Sequence, residues 1–431
     1  MSTSTNPGFF FDDLQARGLV HASSEGVRDH LAAGPVTAYI GFDPTADSLH
    51  VGHLVQVMAA ARLQRAGHRP LALVGGGTGM IGDPSGKSAE RPLLTRTQVE
   101  ANVAGIRGQL ERFLDFHGPA AAQVVDNHDW LSGLGLIEFL REVGKHFTVN
   151  YMLAKDSVAR RLDSEAGLSI TEFAYSLLQA YDFAVLSDRF GCSLQVGGSD
   201  QWGNITSGME LIRRTRGRPA HGIVQPLLTN ASGTKFGKTE GGAVWLDAER
   251  TSPFRFFQFW LNADDRDVER YLKTFTFLGL DAVASVMAEH AADPAARTAQ
   301  RRLAAEVTRM VHGADGLARA ERATGVLFGS VAAQELPAAE LLDVFSDVPS
   351  TDVDRARLQG EGMGVVDILA DAGVAASKGE ARRLIAGGGV SLNGARVTSP
   401  ELRVRAQDAI DGQVLLLRKG KKENRVVRLV G

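Results

Sequence analysis

Two histidines three residues apart, His50 and His53, stand where a strand-like run gives way to a helical pattern. The string reads Tyr39-Ile40-Gly41-Phe42-Asp43-Pro44-Thr45, then Ala46-Asp47-Ser48-Leu49-His50-Val51-Gly52-His53. A helix that starts near Gly52 offers unpaired backbone N–H groups and the positive end of a dipole, which suits phosphate. Imidazole donors at this spacing, with Thr45 nearby, can stabilise charge that grows on a polyphosphate. Gly52 leaves room for a flat base against the backbone. In isolation such a pair is more often capping or surface histidines; the strand and the Asp-Pro-Thr turn before it favour the site.

Four further segments carry chemistry. Gly75-Gly76-Gly77-Thr78-Gly79-Met80-Ile81-Gly82-Asp83-Pro84-Ser85-Gly86-Lys87, with Arg91 beyond, follows a strand-like run. It is not a P-loop, because Ile81 occupies the position where Gly86-Lys87-Ser88 would require glycine. Its glycines allow close backbone approach to a ligand, or simply a flexible surface loop. Tyr175, Gln179 and Asp182 are spaced by four and three, so they share one face of a helix. A polar stripe on an otherwise apolar helix needs partners, either a bound amphoteric ligand or an internal hydrogen-bond network. In Gln195-Val196-Gly197-Gly198-Ser199-Asp200-Gln201 a strand enters a glycine turn. Asp200 at the next helix start is placed to accept ribose hydroxyls or to cap. Last, Thr234-Lys235-Phe236-Gly237-Lys238-Thr239 joins two lysines and a hydroxyl beside glycine, a group able to close on phosphates, although basic surface loops are common.

The elements that must position these groups alternate between short apolar runs and helical patterns. Strands are expected at 36–42, 70–75, 123–126, 193–196 and 223–228, and helices at 52–66, 171–190 and 199–215. Such alternation predicts a Rossmann-like α/β fold, with a parallel sheet and ligands at the carboxyl ends of its strands. The stretch at about 100–163 is mostly helical and reads as an insertion. Residues 251–345 read as an α-helical domain, 346–362 as an Asp/Gly/Ser-rich linker, and 363–431 as a small α+β domain with helices at 365–372 and 378–386. Residues 1–250 are then the catalytic domain.

A chain of 431 residues implies two or three domains, and 44 % hydrophobic with 23 % charged residues is a globular composition. The net charge of −3 hides an asymmetry: residues 363–431 hold 12 Lys+Arg against 7 Asp+Glu, or +5, which leaves −8 elsewhere. A basic module on an acidic body suggests contact with a polyanion. A single cysteine, Cys192, excludes a disulfide framework and a cysteine-rich zinc site. No secretory, transit or membrane-spanning pattern is found, so a cytoplasmic protein is expected.

In this order the motifs resemble those of class I aminoacyl-tRNA synthetases. His50-Val51-Gly52-His53 resembles the family's HIGH signature, and Lys235-Phe236-Gly237-Lys238-Thr239 resembles its KMSKS loop in the KFGKT form of bacterial tyrosyl enzymes. The resemblance covers nearly the whole chain. It implies that Tyr39 and Asp182 bind a substrate phenol hydroxyl, that Asp83, Tyr175 and Gln179 surround its ammonium group, and that Gln201 lies near its carboxylate. It places Gly41, Asp43, Gly52, Gly198 and Asp200 against ATP or the adenylate. Thr45 and His50 would bind the γ-phosphate, with His53 as the second signature histidine. Lys87, Arg91, Lys235, Lys238 and Thr239 would grip pyrophosphate. Ile40 stands where some relatives have a ribose-touching cysteine, so that contact is not expected.

The implied reaction joins L-tyrosine to ATP and then to the terminal ribose of tRNA(Tyr), with Mg²⁺ accompanying ATP. No dedicated metal ligands and no tightly bound cofactor are expected. The segment from Ser377 to Ile385 resembles a small RNA-binding module, which makes Lys378, Arg382 and Arg383 candidate RNA contacts. The inserted helices resemble the family's dimer interface, so a homodimer and no membrane partner are expected. The rival readings are a tryptophanyl-type synthetase, a small-molecule adenylyltransferase, and a non-catalytic RNA-binding relative.

Overall fold

Residues Thr37–Phe42 (β2) and Arg69–Val74 (β3) are buried along nearly their whole length, as strands covered on both faces must be. With Ala22–Ser23 (β1), Gln123–Asp126 (β4), Cys192–Gly198 (β5) and His221–Gln225 (β6) they form a six-stranded sheet in the order β1-β6-β5-β2-β3-β4. All pairs are parallel except β1 with β6, at one edge. The chain leaves β2 toward β3 on one side, while β5 lies on the other. The crevice beyond the carboxyl ends of β2 and β5 is therefore the switch point at which such sheets bind ligands. The structure, a computed structural model, describes residues 7–83, 94–155, 158–159, 162, 167–231, 233, 236–239, 242–420 and 423–431, with the side chains of 238 and 239 left aside.

The helices form for local reasons. Ile170–Phe190 begins at a capping box in which Ser169 and Glu172 satisfy each other's backbone N–H groups, and it ends at Gly191 in the left-handed region (φ 63°). Trp202–Arg216 ends in the same way at Gly217 (φ 65°). The signature helix, Leu54–Arg65, starts two residues later than expected, because residues 51–53 form a turn. Its apolar residues are buried all round. Gln123–Asp126 is a strand as expected, and with Arg96–Leu110 before it the alternation of helix and strand runs into the stretch read as an insertion from about 100. A core of Tyr39, Leu71, Leu73, Ala180, Phe183 and Leu186 fills one side of the sheet. Each large side chain buried there contributes about 1.5–3 kcal/mol.

Contacts divide the chain into two units: Met1–Arg250 with Asn262–Val307, and Thr251–Leu261 with Thr308–Gly431. Asn262–Val307, grouped from sequence with the helices after 251, belongs by its contacts to the first unit. In the second unit a five-stranded sheet carries Val414–Lys419 and Glu423–Val430 at its centre, with the helices Val365–Asp371 and Lys378–Ala386 beside a shared apolar core. The segment read as a linker is not structureless. Ser350–Asp354 is an edge strand parallel to Glu423–Val430, and its Val353 is buried in that core. Only one of its five residues is buried, and Asp352 pairs with Arg428. A charged edge strand of this kind has the composition of a loop.

Candidate active site

The polar stripe on Ile170–Phe190 faces the carboxyl edge of the sheet. Asp182 is 1 % exposed, and both of its oxygens are taken. Trp130 Nε1 donates to Oδ1 at 2.7 Å, and Asn127 Nδ2 donates to Oδ2 at 3.0 Å. Burial pushes this carboxyl up to about 7, and the two donors restrain the rise. Tyr39, also 1 % exposed, packs edge-to-face on Phe183 at 5.2 Å. Among the described residues its hydroxyl makes no hydrogen bond of ordinary geometry, and neither does the Oε1 of Gln195, which is 3 % exposed, although the Gln179 and Gln195 amides lie near enough to favour its ionised form slightly. Burial, and then the Asp182 charge, drives the Tyr39 phenol well above its ordinary value, so it stays a donor. An unpartnered hydroxyl beside a buried carboxylate is costly unless a ligand completes it.

One turn along the helix the groups bind one another. Asn204 Nδ2 donates to Gln179 Oε1 (3.0 Å), Gln179 Nε2 to Gln201 Oε1 (3.1 Å), and Gln201 Nε2 to Asp83 Oδ2 (2.7 Å). Tyr175 donates from its hydroxyl to Asp43 Oδ1 at 3.4 Å. Burial, reinforced by Asp43, Asp83 and Asp182, holds the Tyr175 phenol neutral. This corner is rich in acceptors, with two carboxylates and a phenol oxygen, and so suits an ammonium group.

The glycine turn after β3 is set by the residues after β4. Asp126 accepts from the Gly76 N–H (3.0 Å) and Asn127 Oδ1 from the Gly77 N–H (2.8 Å), while Asn127 Nδ2 also donates to Thr78 Oγ1 (2.9 Å). A Cβ at Gly76 would lie 2.3 Å from Asp126 Oδ1, so a larger residue would displace that carboxylate from the turn. Asn127, Trp130, Thr78 and Gln195 were not singled out from sequence. The rule that function gathers after strand ends would have pointed to the first two, because β4 ends at Asp126.

On the other side of β2, His50 and His53 stack at 3.9 Å and 15°. The Gly52 N–H donates to His50 Nδ1 (3.0 Å) and the His50 N–H to His53 Nδ1 (3.2 Å). With Nδ1 accepting, each neutral ring carries its proton on Nε2, as a donor. A Cβ on Gly52 would meet the His50 ring at 2.8 Å. Gly237, at φ 85°, closes on the same turn: a Cβ there would lie 3.2 Å from Gly52 N. Backbone bonds from Val51 to Val244 and from Leu246 to Leu49 hold the two segments together.

Thr45 is exposed at the turn after β2, and Gly41 has open space where a side chain would stand. At Gly198 a Cβ would crowd Asp200 Oδ1 at 2.7 Å. Lys87, Arg91 and Lys235 lie outside the described residues. Lys238 and Thr239 contribute a short strand paired with Gly242–Ala243. In the second unit Lys378, Arg382 and Arg383 are exposed on one helix, and Lys378 pairs with Asp367 at 2.6 Å.

Residues 31–329 match the family model of class I tRNA synthetases (W and Y), and residues 340–427 match that of the SYY-like C-terminal domain of tyrosine–tRNA ligase. A tyrosine–tRNA ligase from Roseiflexus castenholzii is 56 % identical over 97 % of this chain and 99 % of its own length. The chain belongs to the tyrosine–tRNA ligase family. A second synthetase of that name, from Anaeromyxobacter dehalogenans strain 2CP-C, is 57 % identical over 96 % of this chain and 98 % of its own. Among solved structures, a truncated mitochondrial tyrosyl-tRNA synthetase from Aspergillus nidulans superposes with a TM-score of 0.67 at 32 % identity, covering 74 % of this synthetase and 94 % of that chain. As a class I synthetase the chain has the α/β fold read from its sequence.

Proposed function

We infer that this protein activates L-tyrosine with ATP and transfers it to tRNA(Tyr). The observation that carries the reading is the floor of the pocket, where the Asp182 carboxylate and the unpartnered Tyr39 hydroxyl lie buried together. A substrate phenol placed there donates to Asp182 and accepts from Tyr39. Phenylalanine leaves the Tyr39 hydroxyl without an acceptor and gives Asp182 no donor beyond Trp130 and Asn127, at the cost of a buried unsatisfied group, about 1–3 kcal/mol. The Asp83–Tyr175–Gln179 corner takes the ammonium group, and Gln201 lies beside the carboxylate. The carboxylate is already nucleophilic at neutral pH, so attack on the α-phosphate needs no general base. Catalysis rests on positioning and on donors aimed at the departing pyrophosphate. His50 and His53 supply such donors, and Thr45, Lys87, Arg91, Lys235, Lys238 and Thr239 are assigned to the same task by their places in the motifs. Gly41, Asp43, Gly52, Gly198 and Asp200 border the adenylate. ATP enters as its magnesium complex, a substrate and not a resident group.

The tRNA is met by the basic C-terminal segment, through Lys378, Arg382 and Arg383, with a salt-sensitive phosphate contribution. A second copy of the chain covers the apolar side chains left open beside residues 136–170. Leu136, Ile137, Val149 and Ile170 are 71, 75, 63 and 82 % exposed, apolar side chains of the kind a partner surface buries. No helix among the described residues is long and apolar enough to cross a membrane. The proposed compartment is the cytoplasm, because that is where tRNA is charged. The test is ATP–pyrophosphate exchange with tyrosine, tryptophan and phenylalanine in parallel. Exchange with tyrosine alone is expected; exchange with tryptophan instead, or with none of the three, overturns the reading.

A further inference from the structure

The helix Asp265–Phe275 touches both signature segments, and its contacts are not those of simple packing. At its C-terminal end the backbone carbonyls of Lys273, Thr274 and Thr276 accept from the guanidinium of Arg62 at 3.0, 3.2 and 2.6 Å. Arg62 belongs to the signature helix. Arg17 adds a bond to Leu278 O at 2.9 Å, and Arg65, also on the signature helix, lies 3.3 Å from the centre of the Phe277 ring. Two cationic side chains at a helix C-terminus satisfy its last carbonyls and oppose its dipole.

The side of the same helix holds the segment that carries the two lysines. Asp267 is 4 % exposed, and its Oδ2 accepts from the backbone N–H of Ala231 at 2.7 Å. Its Oδ1 accepts from Arg270 at 2.7 Å, and Arg270 in turn donates to the Thr229 carbonyl. Beyond the lysine-bearing stretch begins the second stem. Phe236 lies against Tyr271 (5.0 Å) and stacks on Phe275 (5.2 Å, 20°), and Gly237 closes on Gly52. A buried carboxylate whose two oxygens serve one backbone N–H and one arginine makes a rigid, directional hold.

We propose that Asp267 and Arg270 are positioning residues for the activation step, and that the helix Asp265–Phe275 sets the stems of the Lys235–Lys238 segment relative to the signature helix. Neither residue touches substrate. They act by fixing where that segment is anchored, and only the transition state of pyrophosphate departure calls on it. This assignment rests on the tyrosine-activating reading given above for the kinetic arm alone.

The test compares the full-length protein with Asp267→Ala, Asp267→Asn and Arg270→Gln. Amide hydrogen exchange of residues 228–231 reads the anchor whatever the chemistry, and Asp267→Ala is expected to speed exchange at Ala231 at least about tenfold. In pyrophosphate exchange Asp267→Ala is expected to lower kcat by about 10–100-fold with the KM for tyrosine within about twofold. Transfer from preformed adenylate to tRNA stays at the unmodified rate. Asp267→Asn keeps an acceptor for Ala231 and recovers most of the loss. Unchanged exchange at Ala231 overturns the anchor. A changed anchor with unaltered kcat, or with equal losses in kcat and tyrosine affinity, overturns the positioning role.

Discussion

The two sides of β2 solve different problems with different means. On the amino-acid side, Tyr39, Asp182, Gln179 and Gln195 are nearly sealed, and side chains fix side chains. On the phosphate side, His50, Gly52 and His53 are half-buried, and backbone N–H groups fix the rings. A sealed polar site discriminates, because each of its groups loses water for good and must be repaid by a matching ligand atom. A half-open turn gains little selectivity but can meet charge that appears only in the transition state. Specificity is therefore expected to reside in the first region and rate in the second, and substitutions can be chosen to break that division.

The largest effect is expected at Asp182. Asp182→Ala leaves the Trp130 indole N–H and one of the two Asn127 amide N–H groups without an acceptor and removes the phenol's partner, so kcat/KM for tyrosine should fall on the order of 10²–10³-fold. Phenylalanine never used that carboxylate and should lose far less, so the tyrosine/phenylalanine ratio collapses. Steady-state exchange with both amino acids measures it. Equal losses for both would mean that the sealed region supports the fold rather than choosing the substrate.

His50→Ala probes the opposite side and should lower kcat about 100-fold while leaving the KM for tyrosine within about twofold. The ring accepts the Gly52 N–H, so His50→Asn, which can keep an acceptor near that N–H, separates loss of the turn from loss of the donor. A rise in tyrosine KM as large as the fall in kcat would erase the distinction between the two regions.

Asn127→Ala and Trp130→Phe sharpen the comparison from within the sealed side. Each removes one of the two donors to Asp182, and each should cost about tenfold in kcat/KM for tyrosine. Asn127 also fixes Gly77 and Thr78, so its loss should reach the glycine turn, whereas Trp130→Phe should not. Because both substitutions act on one carboxylate, their effects should fail to add in the double variant.

How far the sequence carries depends on whether partners lie close in the chain. Tyr175, Gln179 and Asp182 share a helix face by arithmetic alone, and the strands ending at Phe42 and Gly198 are apolar runs that end in polar turns. Periodicity exposes both. What satisfies Asp182 is another matter: Asn127 and Trp130 come from more than fifty residues away, at the cap and within a short helix after an edge strand, and although that strand end hints at a site, nothing in the sequence says that Asp182 is what they meet. The same holds for Asp267, an ordinary first-turn acidic residue by sequence, whose partner Ala231 is fixed only by tertiary packing. Ser350–Asp354 was illegible for a third reason, since its pairing lies in the backbone and only Val353 faces the core.

The smallest effect is a pH dependence of stability, and it isolates the sealed carboxyl from everything else. Burial lifts Asp182 to about 7 from an ordinary 3.8. Between those values the folded chain binds a proton that the unfolded chain has lost, so folding gains from Asp182 at low pH and loses that gain as pH rises to about 7. Asp182→Asn cannot titrate. Asn also offers only one acceptor to two donors, a deficit that does not vary with pH. The difference in Tm between the Asn variant and the unmodified protein, both free of ligand, should therefore move by a few degrees in favour of the variant from pH 5 to 7, and then level off, at about 1–2 °C per kcal/mol for a unit of this size. Other titrating groups are common to both proteins and cancel. Saturating tyrosine should reverse the trend in the unmodified protein alone, because the bound phenol donates to the ionised carboxylate. A flat difference across that range would place the Asp182 carboxyl in a wetter setting than its 1 % exposure describes, and the division between sealed and open sides would fail at its most buried point.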